Sequence, residues 1–367
     1  MLIFRYLLRE TFKSQIAVFF ILMSIFITLR FVRVLGDATD GNVPADLVVG
    51  FITLYSPVLA SLVLPISLFL GVMLAHGRMY VDSEMTVLKA CGVSEWYVTR
   101  VTLIFSLFIA AITATVTLYL APLALEKEHQ LKEEAAANSG LAAVIPGRFQ
   151  QTSDSKAVIF VHDTDNDTES LQKVFLSQAV KDEEEVHLIY AKQGRIQQSA
   201  FGEQTLILVD GNQYDGKKRA NDYQIVNFDE YAVTITPPNR EEERRKLVTL
   251  STMELVQMKG IEASAELQWR IAIPLSLPFL VLIAVPMSAV DPRQGRFGKM
   301  LPALLLYLGY FLLLLASRRI MEDGRLPSFL GLWWVHVVML LIGFGLIARD
   351  RKTGAFIRQI FLRQKHA

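Results

Sequence analysis

The chain has 367 residues, 52% of them hydrophobic and 20% charged, with a mean hydropathy of +0.35. That is too apolar for an ordinary soluble protein and too charged for membrane spans alone, so part of the chain faces water. A net charge of +1 excludes the basic surplus that a nucleic-acid partner needs. The single cysteine, Cys91, excludes a disulfide framework or multi-cysteine metal site, and a small core position is its expected place.

The amino terminus, MLIFRYLLRETFK, has no small-residue cleavage site after its apolar run, so that run reads as a retained span and not a signal peptide. Six segments have the ~20-residue length that a bilayer demands: Ile16–Leu35, Leu54–Ala75, Val98–Ala121, Ile271–Val290, Met300–Ser317 and Leu330–Ala348. Pro57 and Pro65 in the second and Pro274, Pro278 and Pro286 in the fourth predict kinks, because neighbouring helices can satisfy the freed carbonyls. The layout is three spans, a polar insert and three spans.

Basic residues set the orientation. Arg5, Arg9 and Lys13 precede span one; Arg78, Lys89 and Arg100 lie around the loop between spans two and three; Arg293, Arg296 and Lys299 separate spans four and five; and Arg349, Arg351, Lys352, Arg358, Arg363 and Lys365 follow span six. All four groups fall on one side, which the positive-inside rule makes cytoplasmic. Both termini are then inside, and the insert from about Pro122 to Glu266 is outside.

The cytoplasmic loop between spans two and three, LAHGRMYVDSEMTVLKACGV from Leu74 to Val93, predicts a short helix over about 82–92. Asp82 or Ser83 can cap its start and Gly92 can end it. Val81, Met85 and Leu88 fall at i, i+4, i+7 and form an apolar stripe, with Glu84 in the first turn. A simple hairpin needs no such helix, so it is expected to dock into a cytoplasmic partner, with Glu84 meeting a partner arginine. The plainer alternative for Glu84 is a solvated loop acid.

The insert begins with a charged helical stalk, LEKEHQLKEEAAAN. Alternating runs follow: KAVIFVHD, QKVFLSQAV, EVHLIYAKQGRIQQ, EQTLILVDGNQYDG and YQIVNFDEYAVTI. Val, Ile, Phe and Tyr at period two predict strands, with turn clusters at Asp163–Asp167 and Asp210–Gly211, in a sandwich, jelly roll or open barrel. LVTLSTMELVQM then reads as a short helix leading back to the membrane. The domains expected are residues 1–122 (spans one to three with the short helix), 123–266 (the β insert with its stalks), 267–350 (spans four to six) and 351–367 (a basic tail).

No P-loop is present, since Gly295-Arg296-Phe297-Gly298-Lys299 lacks both the spacing and the hydroxyl residue. The six histidines are scattered, no nucleophile elbow occurs, and the acidic run at 163–167 lacks the glycine and glutamate of a calcium loop. No catalytic residue, metal site or cofactor is expected.

Four arginines break the positive-inside pattern. Arg30 lies about 25 Å along a helix from Lys13, and Arg318 about 28 Å from Lys299, at ~1.5 Å per residue. Arg33 shares a helix face with Arg30, and Arg319 adjoins Arg318. Arginines at that depth are costly and line cavities, unless they snorkel to lipid phosphates. The sharper expectation is a basic collar on spans one and five that grips a phosphorylated amphiphile. Phe51, Tyr55, Leu62 and Phe69 on span two, and Leu304, Tyr307, Phe311 and Leu314 on span five, would wall its acyl chains; otherwise they face lipid or bundle core.

Taken together, FRYLLRETFKSQ at the amino terminus, the loop GRMYVDSEMTVLKACGVS, and SLPFLVLIAVPMSA followed by DPRQGRFGK resemble the LptF/LptG family of lipopolysaccharide export permeases, its F-type members above all. The resemblance covers essentially the whole chain; the loop and the fourth span carry it, and the insert matches mainly by position. It implies an α+β membrane protein of six transmembrane helices with a periplasmic β-jelly-roll-like insert. It also implies a non-catalytic permease subunit in the bacterial inner membrane, paired with a G-type subunit on a homodimeric ABC ATPase. Further implied partners are a membrane-anchored periplasmic jelly-roll subunit, a periplasmic bridge protein and lipopolysaccharide. Glu84 then matches the acid that meets the ATPase, and Arg30, Arg33 and Arg318 match basic positions near the lipid cavity, with Arg319 an equal candidate for the last. A lipoprotein-release type of ABC permease and a membrane-anchored periplasmic scaffold remain as alternatives. The three-plus-three span count argues against the first.

Overall fold

The computed structural model describes residues 2–39, 44–138, 147, 149–151, 157–165, 170–179, 185–198, 204–217, 223–235, 247–290, 295 and 297–349. The basic tail 351–367, most of the linker 291–296 and the end of the acidic run after Asp165 lie outside them. The chain divides into a helical unit (up to Arg33, Val49–Glu128 and from Leu247) and a second unit (Val34–Val48 and His129–Lys246).

The helical unit is built on α1 (Leu2–Thr39), α2 (Val48–Val81), α3 (Glu84–Ala90), α4 (Glu95–Thr115), α5 (Ala121–Asn138), α6 (Thr252–Gln257), α7 (Ile261–Met287), α8 (Met300–Glu322) and α9 (Trp333–Arg349). Among the described residues, five helical stretches are long and apolar enough to cross a membrane: Leu2–Thr39, Ala45–Val81, Glu95–Lys132, Ile261–Met287 and Met300–Glu322. The sixth expected span is α9, apolar but only 17 residues long.

Helix α7 is the centre, packed against α4, α6, α8 and α9. It is apolar on nearly every side, and Ala272, Leu277, Leu280, Val281, Ile283 and Ala284 are all buried, as expected of a helix surrounded by others. Pro274, Pro278 and Pro286 lie inside α7, and Pro57 and Pro65 inside α2, both assigned as continuous helices. Helices α1 and α2 meet at Gly71, where a Cβ would come within 2.6 Å of the Gln15 Cα; only glycine permits that approach. Elsewhere α1 carries a broad exposed apolar surface that includes Phe20, Ile21, Ile25, Leu29 and Val32. Between α4 and α5 the chain makes one π-helical stretch, Val116–Leu120, a deviation that often marks functional sites.

Helix α3 is shorter than the sequence suggests. Val81 closes α2 and is not part of α3, because Ser83 interrupts the helix at φ 63 without a side-chain cap bond. The end is as expected: Gly92 sits at φ +87, Val93 N–H donates to the Leu88 carbonyl and Gly92 N–H to that of Lys89, a Schellman closure. Met85 is buried and Leu88 half-buried against the bundle core. Cys91, expected in a core, is exposed, standing just past α3 as its C-cap.

In the second unit, the strands are β1 (Phe149–Gln151), β2 (Ala157–Asp165), β3 (Ser170–Ala179), β4 (Glu185–Gln198), β5 (Gln204–Lys217) and β6 (Tyr223–Ile235). They form one antiparallel sheet in sequential order, β1-β2-β3-β4-β5-β6. That is a meander, and the Greek-key order that defines a jelly roll is not seen among the described strands. Period-two alternation puts Val161, Val174, Ala191 and Gly211 in one cross-strand row and Ile159, Leu176 and Ile189 in the next, all but Gly211 in the buried apolar cluster. Asp210–Gly211 is not a turn: β5 runs through it, with Asp210 at φ 54. Gly211 leaves space that the Phe228 ring of β6 fills, and a Cβ there would meet that ring at 2.5 Å.

Candidate functional site

Arg30 is only 16% exposed, held by an ion pair from Nη2 to Glu128 Oε1 of α5 at 3.0 Å. Its guanidinium carbon also stands 4.0 Å from the centre of the Tyr55 ring of α2. One helical turn on, Arg33 is exposed. Arg30 is thus clasped by a buried carboxylate and an aromatic face, while Arg33 remains open to solvent or lipid.

A second group forms where α6, α7 and α8 meet. Glu266 of α7, 5% exposed, accepts from Arg270 Nε at 2.9 Å and pairs with Arg318 Nη2 at 2.8 Å. Arg318 Nε donates to Glu322 at 2.8 Å, and its guanidinium lies 5.2 Å from the Trp269 ring. Arg319 is 79% exposed, with Glu322 3.6 Å away. The two expected basic pairs therefore repeat one pattern: an inner arginine held by glutamate and aromatic, an outer one exposed. They form two distinct ion-pair groups.

Arg270 carries this network further. Its Nη1 donates to the Leu250 carbonyl (2.9 Å) and Thr252 Oγ1 (3.2 Å), and its Nη2 to the carbonyls of Leu247 (3.2 Å) and Val248 (3.0 Å). Thr252 in turn donates its hydroxyl to the carbonyl of Leu118, inside the π-helical stretch. The segment that re-enters the bundle after the strands is thus tied at once to α7 and to the α4–α5 junction.

Leu62, Tyr307, Phe311 and Leu314 line one open concavity of about 320 Å³ with Pro65, Ile273, Ser276, Leu280 and Tyr310. Phe69 packs on Tyr307 at 5.6 Å between ring centres. Phe51 is fully buried, Tyr55 lies under Arg30, and Leu304 is half-buried without lining the concavity.

At the other end of α2, Glu84 accepts a hydrogen bond from the Tyr6 hydroxyl of α1. With Met85 and Leu88 turned inward, the outward face of α3 carries Thr86 and Val87, the latter 60% exposed. The apolar stripe expected to meet a partner therefore holds α3 onto its own bundle, and Val87 is what α3 offers outward. Lys89, beside it, pairs with Glu95. Burial works against the Lys89 charge, but Glu95 and Tyr80 outweigh it and hold its pKa above the usual lysine value.

Glu128, Glu266, Arg270 and Glu322 were not singled out from the sequence. Two of the pairs, Glu266–Arg270 and Arg318–Glu322, are i, i+4 spacings that a scan for helical ion pairs would find. No group of three or more His, Cys, Asp or Glu side chains that could hold a metal occurs among the described residues.

Long apolar helices in sequence on either side of a β insert, with buried charge pairs among them, are the features of a multi-pass membrane protein. The chain belongs to the family described as lipopolysaccharide export system permease LptF/LptG, whose model matches residues 5–349. It is 35% identical over 373 aligned positions to the lipopolysaccharide export system permease protein LptF of Escherichia coli strain K12, covering 99% of each chain, and matches the LptF protein of Shigella flexneri to the same extent. Family and helices together make it a multi-pass protein of the inner membrane.

Proposed function

We propose that this chain is the F-type permease subunit of an ABC transporter that extracts lipopolysaccharide from the outer leaflet of the inner membrane and passes it to a periplasmic bridge. The observation that carries this reading is the match across 99% of both chains, which takes in bundle, short helix and insert alike. On this reading α9 is a sixth span, both termini are cytoplasmic, and the β insert lies in the periplasm. A G-type permease completes the cavity, and the exposed apolar surface of α1 supports such a partner. A separate homodimeric ATPase supplies the energy and docks against α3 through Glu84 and Val87, while Met85, Leu88 and the preceding Val81 keep the helix seated. A membrane-anchored jelly-roll subunit and a bridge protein continue the path from the insert.

Arg33 and Arg319 make the first contacts with lipid phosphates, and Arg30 and Arg318 stand behind them, exchanging carboxylate for phosphate as the lipid enters. Acyl chains lie along Leu62, Tyr307 and Phe311, with Phe51, Tyr55 and Leu304 supporting that wall.

The test is purification of the tagged chain from detergent-solubilised membranes, with the co-purifying proteins and lipid identified. A second permease, an ATPase and lipopolysaccharide are expected. ATP hydrolysis by this chain alone would refute the division of labour. Glu84→Ala is expected to leave bound lipid unchanged and to reduce the recovered ATPase severalfold; full recovery of both would make Glu84 only the acceptor for Tyr6.

A further inference from the structure

Where α6, α7 and α8 meet, two arginines share the carboxylate of Glu266. That carboxylate is 5% exposed and Arg270, one turn along α7, is 4% exposed, so water screens neither charge. The two contacts differ in kind. Arg270 Nε donates to Oε1 at 2.9 Å in an aligned hydrogen bond. Arg318 Nη2 stands 2.8 Å from Oε2 but off the hydrogen-bond direction, and Oε2 has no hydrogen-bonded donor among the described residues. Arg270 is further fixed by the carbonyls of Leu247, Val248 and Leu250 and by the Thr252 hydroxyl. Arg318 is 22% exposed, and its Nε is 2.8 Å from a second acid, Glu322. Of the two cations, Arg318 is therefore the one built to change partners. A buried carboxylate does not give up its last cation, because the uncompensated charge costs more than a new contact returns. A carboxylate that holds two can release one.

We propose that Arg270 is a positioning residue for the capture of anionic lipid: by keeping Glu266 neutralised, it lets Arg318 turn from that acid to a lipid phosphate. The inference deepens the transport reading and rests on Arg318 being a lipid contact. Arg270 itself touches no lipid and acts only through Glu266. Without Arg270, Arg318 becomes the cation that Glu266 cannot lose, and phosphate has to compete with a buried carboxylate. Without the Glu266 charge, Arg318 has one competitor fewer, and Arg270 has nothing left to neutralise there. The two substitutions are therefore expected to act in opposite directions.

The experiment uses the full chain in its native assembly in membrane vesicles, with lipid A carrying a diazirine on one acyl chain, offered with its phosphates or after their enzymatic removal. Crosslinks to α8 are quantified by mass spectrometry. Arg270→Met, which keeps the buried aliphatic length, should lower capture of the phosphorylated lipid about tenfold, equivalent to ~1.4 kcal/mol, and leave capture of the dephosphorylated lipid unchanged. Glu266→Gln, which keeps an oxygen to accept from Arg270, should raise capture of the phosphorylated lipid severalfold. The double variant should behave as Glu266→Gln does, since the effect of Arg270 passes through that carboxylate. A merely structural role predicts otherwise: each substitution lowers capture of both lipids, and the pair lowers it most. Native-level capture by Arg270→Met, or a double variant as weak as Arg270→Met, would overturn the proposal. Should Arg270→Met fail to assemble, Glu266→Gln decides alone, and unchanged or reduced capture overturns it. Arg318→Gln is measured alongside. If it captures both lipids as the native chain does, Arg318 is no lipid contact and the transport reading loses that site. If the native preference for phosphate disappears in Arg318→Gln but persists in full in Arg270→Met, this inference alone fails.

Discussion

Glu128 converts Arg30 from a surface charge into a clasped one, and this changes how Arg30 has to be tested. Replacing Arg30 with Glu would set two carboxylates together at a buried position, and breaking such a pair costs on the order of 3–5 kcal/mol, so lost lipid capture would not separate binding from folding. The informative variant is the exchange Arg30→Glu with Glu128→Arg, which restores the pair with its ends reversed. If Arg30 contacts lipid phosphate, the exchange should assemble like the native chain and yet capture several-fold less photocrosslinkable lipopolysaccharide. Equal capture would reduce Arg30 to a structural ion-pair partner. Arg33→Glu, exposed and outside the pair, should lower capture without loss of stability. The arginines were legible in the sequence because charge at that depth is costly enough to stand out. Glu128 was not, because one acid in LEKEHQLKEE looks like any other until an arginine 98 residues away reaches it.

At the scale of elements, the strands were read from alternation alone, and each of the five alternating runs is a strand; only the three-residue β1 was too short to show a period. The short helix was legible as an element but not in its orientation. Its stripe of Met85 and Leu88 could have faced a partner or its own bundle, and only packing decides between them. The π-helical stretch has no sequence signal and acquires its meaning from Thr252, which donates to the Leu118 carbonyl. Arg270 anchors that junction with four hydrogen bonds from Nη1 and Nη2 in addition to its bond to Glu266. Arg270→Met is therefore expected to release the 247–257 segment while Glu266 keeps Arg318. Hydrogen exchange should rise at least tenfold in amides of 252–257 and stay unchanged in α9. Thr252→Val, which removes the bond to Leu118, should produce a smaller rise, in line with a hydrogen bond worth about 1 kcal/mol. If Arg270→Met leaves exchange in that segment at the native level, the guanidinium is not what holds it.

At the scale of the whole molecule, the two apolar clusters are separate: one is built from the helices, the other from one face of the sheet. Units with their own cores are expected to unfold in separate transitions, and the sequence supplies a way to watch them apart. All four tryptophans, Trp96, Trp269, Trp333 and Trp334, belong to the helical unit, so tryptophan fluorescence follows that unit alone. Acid should separate the transitions further. Burial works against the Asp215 carboxylate, but hydrogen bonds from Gln213 and His187, with the His187 charge, outweigh it and hold its pKa below the ordinary aspartate value. A carboxyl depressed in the folded state contributes stability above its unfolded pKa of about 4 and loses it as pH falls through the folded value. Between pH 5 and pH 3 the β unit, followed by hydrogen exchange in β4 and β5, is therefore expected to lose protection before tryptophan fluorescence changes. Asp215→Asn should lower protection at pH 7 and flatten this decline, because the group that titrates is gone and only the amide remains to meet His187. A single transition, with strand exchange and tryptophan fluorescence falling together at every pH, would mean that sheet and bundle share one cooperative fold.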